Sequence, residues 1–192
     1  MPINISGFQE VFDILKELVS GVKSALQIPE KHRKEMLEAV ADTAELVDET
    51  LTILKQHLTG VISELKFGDQ QKAKQLISEL GSFPGWETKY RQFQLCDKLR
   101  EASFNLERRG LYALLNRLIY NDPDLIKQKM WDYIGGEANA ANSVGTLLLE
   151  LSSLDAKVDS EFDTVVNSME QARNEVSKWR QVFIDFEKEL RA

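Results

Sequence analysis

Apolar residues recur at steps of three and four near the end of the chain, from Val144 to Leu190. This spacing places them on one face of a helix and is typical of a coiled-coil seam. The steps alternate except through Val158 and Phe162, where two consecutive four-residue steps form a stutter that should locally unwind a supercoil. The pattern predicts one long helix over residues 138–191. The other seam residues are Leu147, Leu151, Leu154, Val165, Met169, Ala172, Val176, Trp179, Phe183 and Phe186.

Two further amphipathic helices are predicted before residue 70. Residues 8–26 carry one broad apolar face, and residues 29–67 carry a seam whose three- and four-residue steps alternate without interruption. Pro29 ends the first helix and suits the first position of the second. Because the connection is so short, we expect these two helices to lie antiparallel.

The middle of the chain predicts two short helices and one long one. Residues 70–80 form a connector that ends at a Gly-Ser-Phe-Pro-Gly sequence, and residues 123–134 begin after an Asn-Asp capping signal. Between them, residues 86–120 predict a long helix rich in lysine and arginine. A basic helix packed between acidic ones explains this charge more simply than a nucleic-acid groove does.

Together these segments predict an all-α chain that forms a single domain over residues 1–192. The expected architecture is an elongated antiparallel bundle with up-down-up-down connectivity. Its long, coiled-coil-like helices are 29–67, 86–120 and 138–191, and two short helices connect them. The helix 8–26 is too short to cover more than half of the bundle.

The half that the first helix does not cover is expected to be an aromatic end. There the helix 70–80 supplies the missing fourth face, and the rings of Trp179, Phe183 and Phe186 meet the aromatic residues around the start of the helix 86–120. Those residues are Phe67, Phe83, Trp86, Tyr90 and Phe93.

The composition limits which cellular compartments and which classes of partner fit this chain. The 192 residues carry a formal net charge of -7, which disfavours nucleic acid as a partner. The single cysteine, Cys96, excludes an intrachain disulfide and suits a reducing compartment. The longest charge-free run, 138–149, is too short to cross a bilayer as a helix, and the first residues do not resemble a signal peptide. We therefore expect a soluble, cytoplasmic protein.

Motifs for catalysis and metal binding are missing from the sequence. A di-iron site in a helical bundle needs Glu-x-x-His motifs, and neither His32 nor His57 has a glutamate three positions earlier. There is no Walker loop, no dinucleotide-binding glycine motif and no nucleophile elbow. His57 is interpreted as a structural residue beside the seam. We expect no enzyme activity, and therefore no catalytic residues, cofactor, metal or small-molecule substrate.

The leading hypothesis is a non-catalytic protein–protein interaction or scaffold module, with self-association as one form of that interaction. Long heptad-patterned helices without a catalytic constellation are most simply explained by helix pairing. Val182 and Ile184 lie off the seam and carry apolar surface to more than one side of the helix. The candidate interface residues are Trp179, Val182, Phe183, Ile184 and Phe186.

The alternative hypothesis is a membrane-acting effector whose first helix leaves the bundle and enters a bilayer. The residues that would contact lipid are Phe8, Phe12, Leu15 and Val19. Helices that bind anionic membranes normally have a polar face rich in lysine and arginine, whereas acidic residues outnumber basic ones in the segment 8–26. Packing of these residues inside the bundle is therefore the preferred interpretation.

Overall fold

The computed structural model describes residues 6–24, 29–81 and 144–192. All regular structure in these ranges is helical, which confirms the all-α class. The helices are α1 (Ser6–Ser24), α2 (Glu30–Phe67), α3 (Gln70–Glu79), α4 (Val144–Ser152) and α5 (Phe162–Arg191), with a 3₁₀ turn at Asp155–Lys157. The predicted helices 86–120 and 123–134 lie outside the described residues, so the single domain over 1–192 stays a prediction.

Local signals define the corner between α2 and α3, and both helices keep within one residue of their predicted bounds. Gly68 follows the last residue of α2 and donates its backbone N–H to the carbonyl of Glu64 over 3.1 Å. The Asp69 carboxylate accepts a hydrogen bond of 2.7 Å from the Gln71 N–H, which caps the start of α3. The chain therefore reverses direction within two residues.

Helix α3 folds back along α2 and is fixed to it by His57. The ring Nε2 of this partly buried histidine donates to the carbonyl oxygen of Leu76 over 3.0 Å. On the apolar side of α3, Ala73, Ile77 and Leu80 are buried in the core. His57 is thus a structural residue that links two helices.

Helices α2 and α5 run antiparallel and form the centre of the core. Arg191 at the end of α5 bonds Asp42 near the start of α2, and Lys66 at the end of α2 bonds Glu170 near the start of α5. The up-down-up-down order would make the helices 29–67 and 138–191 parallel. That part of the prediction is wrong, because hydrophobic periodicity defines the buried face of a helix but not its direction relative to a distant helix.

The apolar seams predicted for α2 and α5 lie in the core. Burying one large aliphatic side chain contributes about 1.5–3 kcal/mol, so these residues dominate the stability of the pair. On α2 the fully buried residues include Leu51, Leu54, Leu58 and Val61, and on α5 they include Val165, Met169, Ala172 and Val176.

The single helix predicted over residues 138–191 is interrupted in the structure. Helix α4 ends at Ser152, and α5 begins only at Phe162, after the 3₁₀ turn. The interruption falls on the stutter at Val158 and Phe162, so the irregular spacing marks the place where regular helix fails. Residues 138–143 lie outside the described part of the chain.

The predicted aromatic end differs from the structure. Phe67 is 88% exposed. Trp179, Phe183 and Phe186 instead face α1, because the antiparallel arrangement places the second half of α5 beside the first half of α2, where α1 packs. Phe83, Trp86, Tyr90 and Phe93 lie outside the described residues.

Gly60 offers a direct test of the α2 helix. It lies within α2 on a half-exposed face, and a Cβ added there meets no atom within 4 Å. We expect Gly60→Ala to raise the free energy of unfolding by about 0.5–1 kcal/mol, because glycine is costly within a helix. Denaturation with urea measures this gain.

Gly81→Ala is the control for that measurement. A Cβ at this position would lie 2.8 Å from Ser152 Oγ, so a gain of equal size is not expected. Loss of stability in Gly60→Ala would contradict the position of Gly60 on an open helical face.

Candidate interaction site

Five aromatic residues form a cluster where α1 meets α5, called here the aromatic cluster: Phe8, Phe12, Trp179, Phe183 and Phe186. The Phe12 ring lies at its centre, with ring centroids 5.2 Å from Phe186, 5.8 Å from Phe183 and 6.2 Å from Trp179. All three pairs are edge-to-face, an arrangement that adds about 0.5–1.5 kcal/mol per pair beyond the area buried. The aromatic cluster therefore attaches α1 to α5.

The orientation of α1 follows from the aromatic cluster and one ion pair. Phe8 contacts Trp179 at a ring separation of 6.5 Å, and Lys23 lies 3.8 Å from Glu189. Helices α1 and α5 therefore run in the same direction, so α1 is antiparallel to α2, as expected from the short connection. Both partners of the ion pair are exposed, so it contributes little beside the aromatic contacts.

The five candidate interface residues differ in their exposure. Phe183 is completely buried and Phe186 nearly so, and both pack within the aromatic cluster. Trp179, Val182 and Ile184 are partly exposed. Part of their apolar surface is therefore exposed to solvent.

The four candidate membrane-contact residues all pack inside the chain. Phe8, Leu15 and Val19 are buried, and Phe12 is partly buried at the centre of the aromatic cluster. A membrane-bound form would thus require α1 to separate from α2 and α5. No helix within residues 6–24, 29–81 and 144–192 is long and apolar enough to span a membrane.

Arginine side chains fasten α5 to α2 beside the aromatic cluster. The partly buried guanidinium of Arg180 donates to both carboxylate oxygens of Asp48 over 2.8 and 3.3 Å. Arg191 donates to Glu187, Asp42 and Glu45. The hydrogen bonds to Glu187 and Asp42 raise the pKa of Arg191 above its ordinary value. These bonds fix the register of α5 along α2.

Two partly exposed carboxylates, Glu170 and Glu64, each pair with a lysine near the opposite end of α2. Hydrogen bonding to Lys66 over 2.7 Å lowers the pKa of Glu170. The hydrogen bond from Lys72 and the backbone N–H of Asp69 lower the pKa of Glu64. The first pair links α2 to α5, and the second links α2 to α3.

An open groove lies between the start of α2 and the end of α5, with a volume of about 840 Å³. Residues of both charges line it, including Glu30, Lys34, Glu38 and Arg191. Within the described ranges, no three His, Cys, Asp or Glu side chains come together in a group that could hold a metal. Cys96 lies outside those ranges.

Sequence reasoning preferred to place Phe12 in the bundle core but did not identify its contact with α5. A signal was present. Phe8, Phe12 and Leu15 follow steps of four and three, and Trp179, Phe183 and Phe186 follow the same steps. Two helices that present aromatic residues at matching intervals can interdigitate when they pack side by side.

Comparison with protein-family models, curated proteins and solved structures finds no match to this chain.

Substitution of Phe183 tests the packing of the aromatic cluster. The side chain is completely buried, and Phe183→Ala leaves a cavity between α1 and α5. We expect the free energy of unfolding to fall by roughly 3–5 kcal/mol. Equilibrium denaturation measures the loss, with the exposed neighbour Gln181→Ala as control. A loss under about 1 kcal/mol would be inconsistent with this core.

The lowered pKa values of Glu64 and Glu170 predict acid sensitivity. A carboxylate whose pKa is lower in the folded than in the unfolded protein stabilises the fold above its ordinary pKa, 4.5 here, and this contribution is lost as the pH falls through the lowered value. We expect the melting temperature to decrease when the pH is lowered below about 4.5.

Neutral variants separate this effect from general acid denaturation. In Glu170→Gln and in Lys66→Gln the ion pair is absent at every pH, so both should show a shallower pH dependence than the wild type. Parallel curves for the wild type and both variants would show that this pair makes no contribution.

Proposed function

We propose that this chain is a non-catalytic interaction or scaffold module that acts through the exposed side of α5. The observation that carries the proposal is the partly exposed Trp179, at the edge of an aromatic cluster whose Phe183 and Phe186 rings are buried. Tryptophan is enriched among the residues that dominate binding energy in protein interfaces. Its partner is a protein, either a different one or a second copy of the same chain.

The proposed contact surface has two sides. Val182 follows Trp179 by three positions and therefore lies on the same side of α5. Ile184 follows Val182 by two positions and lies on a different side. A helix with apolar surface on two sides can contact two neighbours, which suits a scaffold.

The wider architecture belongs to the same proposal. We propose that the whole chain forms one elongated helical bundle, in which α2 and α5 interlock through coiled-coil-like seams. The regular spacing of buried leucine and valine residues along α2 supports this arrangement. A rigid antiparallel pair would hold Trp179 and Val182 in a fixed orientation toward a partner.

Light scattering tests self-association through this surface. If Val182 lies in a contact between copies, the wild type should exceed the monomer mass of 21.9 kDa, and the mass should rise with concentration. Val182→Lys should return the mass to 21.9 kDa, because a lysine in an apolar contact loses its hydration. Gln181→Lys adds the same charge at an exposed neighbouring position and should leave association unchanged.

A wild-type mass of 21.9 kDa at every concentration would contradict self-association. The same three proteins would then serve as bait in extracts of the native cells. A protein retained by the wild type and by Gln181→Lys, but lost with Val182→Lys, would support a different protein partner. Equal retention by all three baits would refute the proposed interface.

A further inference from the structure

The interruption between α4 and α5 contains residues that disfavour helix, and the Asp155 carboxylate accepts a hydrogen bond of 2.6 Å from the N–H of Ala156. Residues 153–161 contain neither proline nor glycine, the residues at which helices most commonly break. Serine hydroxyls at the end of α4 bond to backbone carbonyls, Ser152 to Leu149 and Ser153 to Glu150. Such bonds only weakly oppose helix. The cause of the interruption therefore includes contacts with the rest of the fold.

The backbone of this segment is already close to helical. The N–H of Glu161 bonds to the carbonyl of Lys157 over 2.8 Å, which is the spacing of an α-helix. Val158 has helical dihedral angles, with φ -56° and ψ -40°. Glu161 departs clearly from helix, with φ -133° and ψ 43°. Among Leu154, Val158 and Glu161, only Glu161 departs clearly from helical angles.

The apolar face also continues through the interruption. Leu151 before it, Val158 within it and Val165 after it are all buried. A continuous helix with a stutter at Val158 would keep these residues on one face. The apolar pattern is therefore compatible with both an interrupted and a continuous helix.

Helix α3 supplies the contacts that hold the interrupted form. Lys74 of α3 forms an ion pair of 2.5 Å with Asp159. At the other end of α3, Gly81 packs so closely on the end of α4 that an added Cβ would lie 2.8 Å from Ser152 Oγ. Both ends of the interruption are therefore attached to the region of α3.

We propose that residues 153–161 switch between an interrupted and a continuous helix, and that α3 holds the interrupted state. A stretch of 3₁₀ turn inside a helical segment often marks a hinge. In the continuous state residues 144–191 form one helix about 72 Å long, at about 1.5 Å per residue. Helix α4 then leaves its contact with the end of α3. This switch does not depend on the function proposed above.

Nuclear magnetic resonance tests the proposal in the full chain. The ¹³Cα shift of Glu161 reports whether its backbone is helical. Alanine substitutions at Ser153, Asp159 and Ser160 raise helix propensity and remove the ion pair to Lys74. We expect this triple variant to increase the continuous population on the order of tenfold and to move the Glu161 shift toward its helical value.

A matched pair of substitutions at Phe162 is the control. In the interrupted form Phe162 is the first residue of α5, where proline is tolerated, but in a continuous helix it would be an interior position. Adding Phe162→Pro to the triple variant should restore the non-helical shift of Glu161. Adding Phe162→Ala, which also removes the ring, should not.

Spin labels at the exposed positions Glu150 and Gln171, with Cys96→Ser, provide a second measurement. A continuous helix separates these backbone positions by about 31 Å, and the triple variant should converge on that distance.

An unchanged Glu161 shift and label distance in the triple variant would overturn the proposal. Equal effects of Phe162→Pro and Phe162→Ala would also overturn it. If the triple variant does not fold, relaxation dispersion can test residues 153–161 of the wild type for exchange between the two states. Flat dispersion profiles would overturn the proposal.

Discussion

The antiparallel pairing of α2 with α5 is the constraint on which the described fold depends. Its apolar seams bury the largest continuous set of side chains, and ion pairs along its edges fix one register. A slip of α5 by one helical turn would separate Arg180 from Asp48 and shift Phe183 away from Phe12. Hydrophobic burial thus supplies most of the stability, whereas the charged pairs select one arrangement among several apolar ones.

Helix α1 is attached in a different way. Its contact with α5 includes aromatic rings and an exposed ion pair, whereas the Arg180–Asp48 pair that joins α2 to α5 is partly buried. Such a helix gains stability mainly from the apolar area it buries. The order of assembly follows: α1 can dock only where α2 and α5 already form a groove.

Sequence reasoning succeeded where the deciding signals are local. Gly68 and Asp69 mark the corner after α2 within two residues, and a period of three and four identifies the buried faces. The predicted direction of α5 relative to α2 was wrong, because no local sequence pattern indicates which ends of two distant helices pack together. The stutter at Val158 marked the irregular site. The same residue spacing fits both a locally unwound helix and an interrupted helix, so it could not distinguish between them. In the candidate interface, α1 determines that Trp179 is partly exposed and Phe183 is buried. Since α1 is distant from α5 in the sequence, local patterns could not predict this difference.

The aromatic cluster has a consequence for biosynthesis. Phe8 and Phe12 leave the ribosome early, whereas Trp179 and Phe183 lie far later in the chain. At about 5–20 residues per second, the nascent chain spends roughly ten to thirty seconds before the partner rings of α1 have been made. During that interval α5, which supplies three of the five rings of the aromatic cluster, is absent. The aromatic cluster is therefore completed only near the end of synthesis of these residues, after α1 and α2 have already been made.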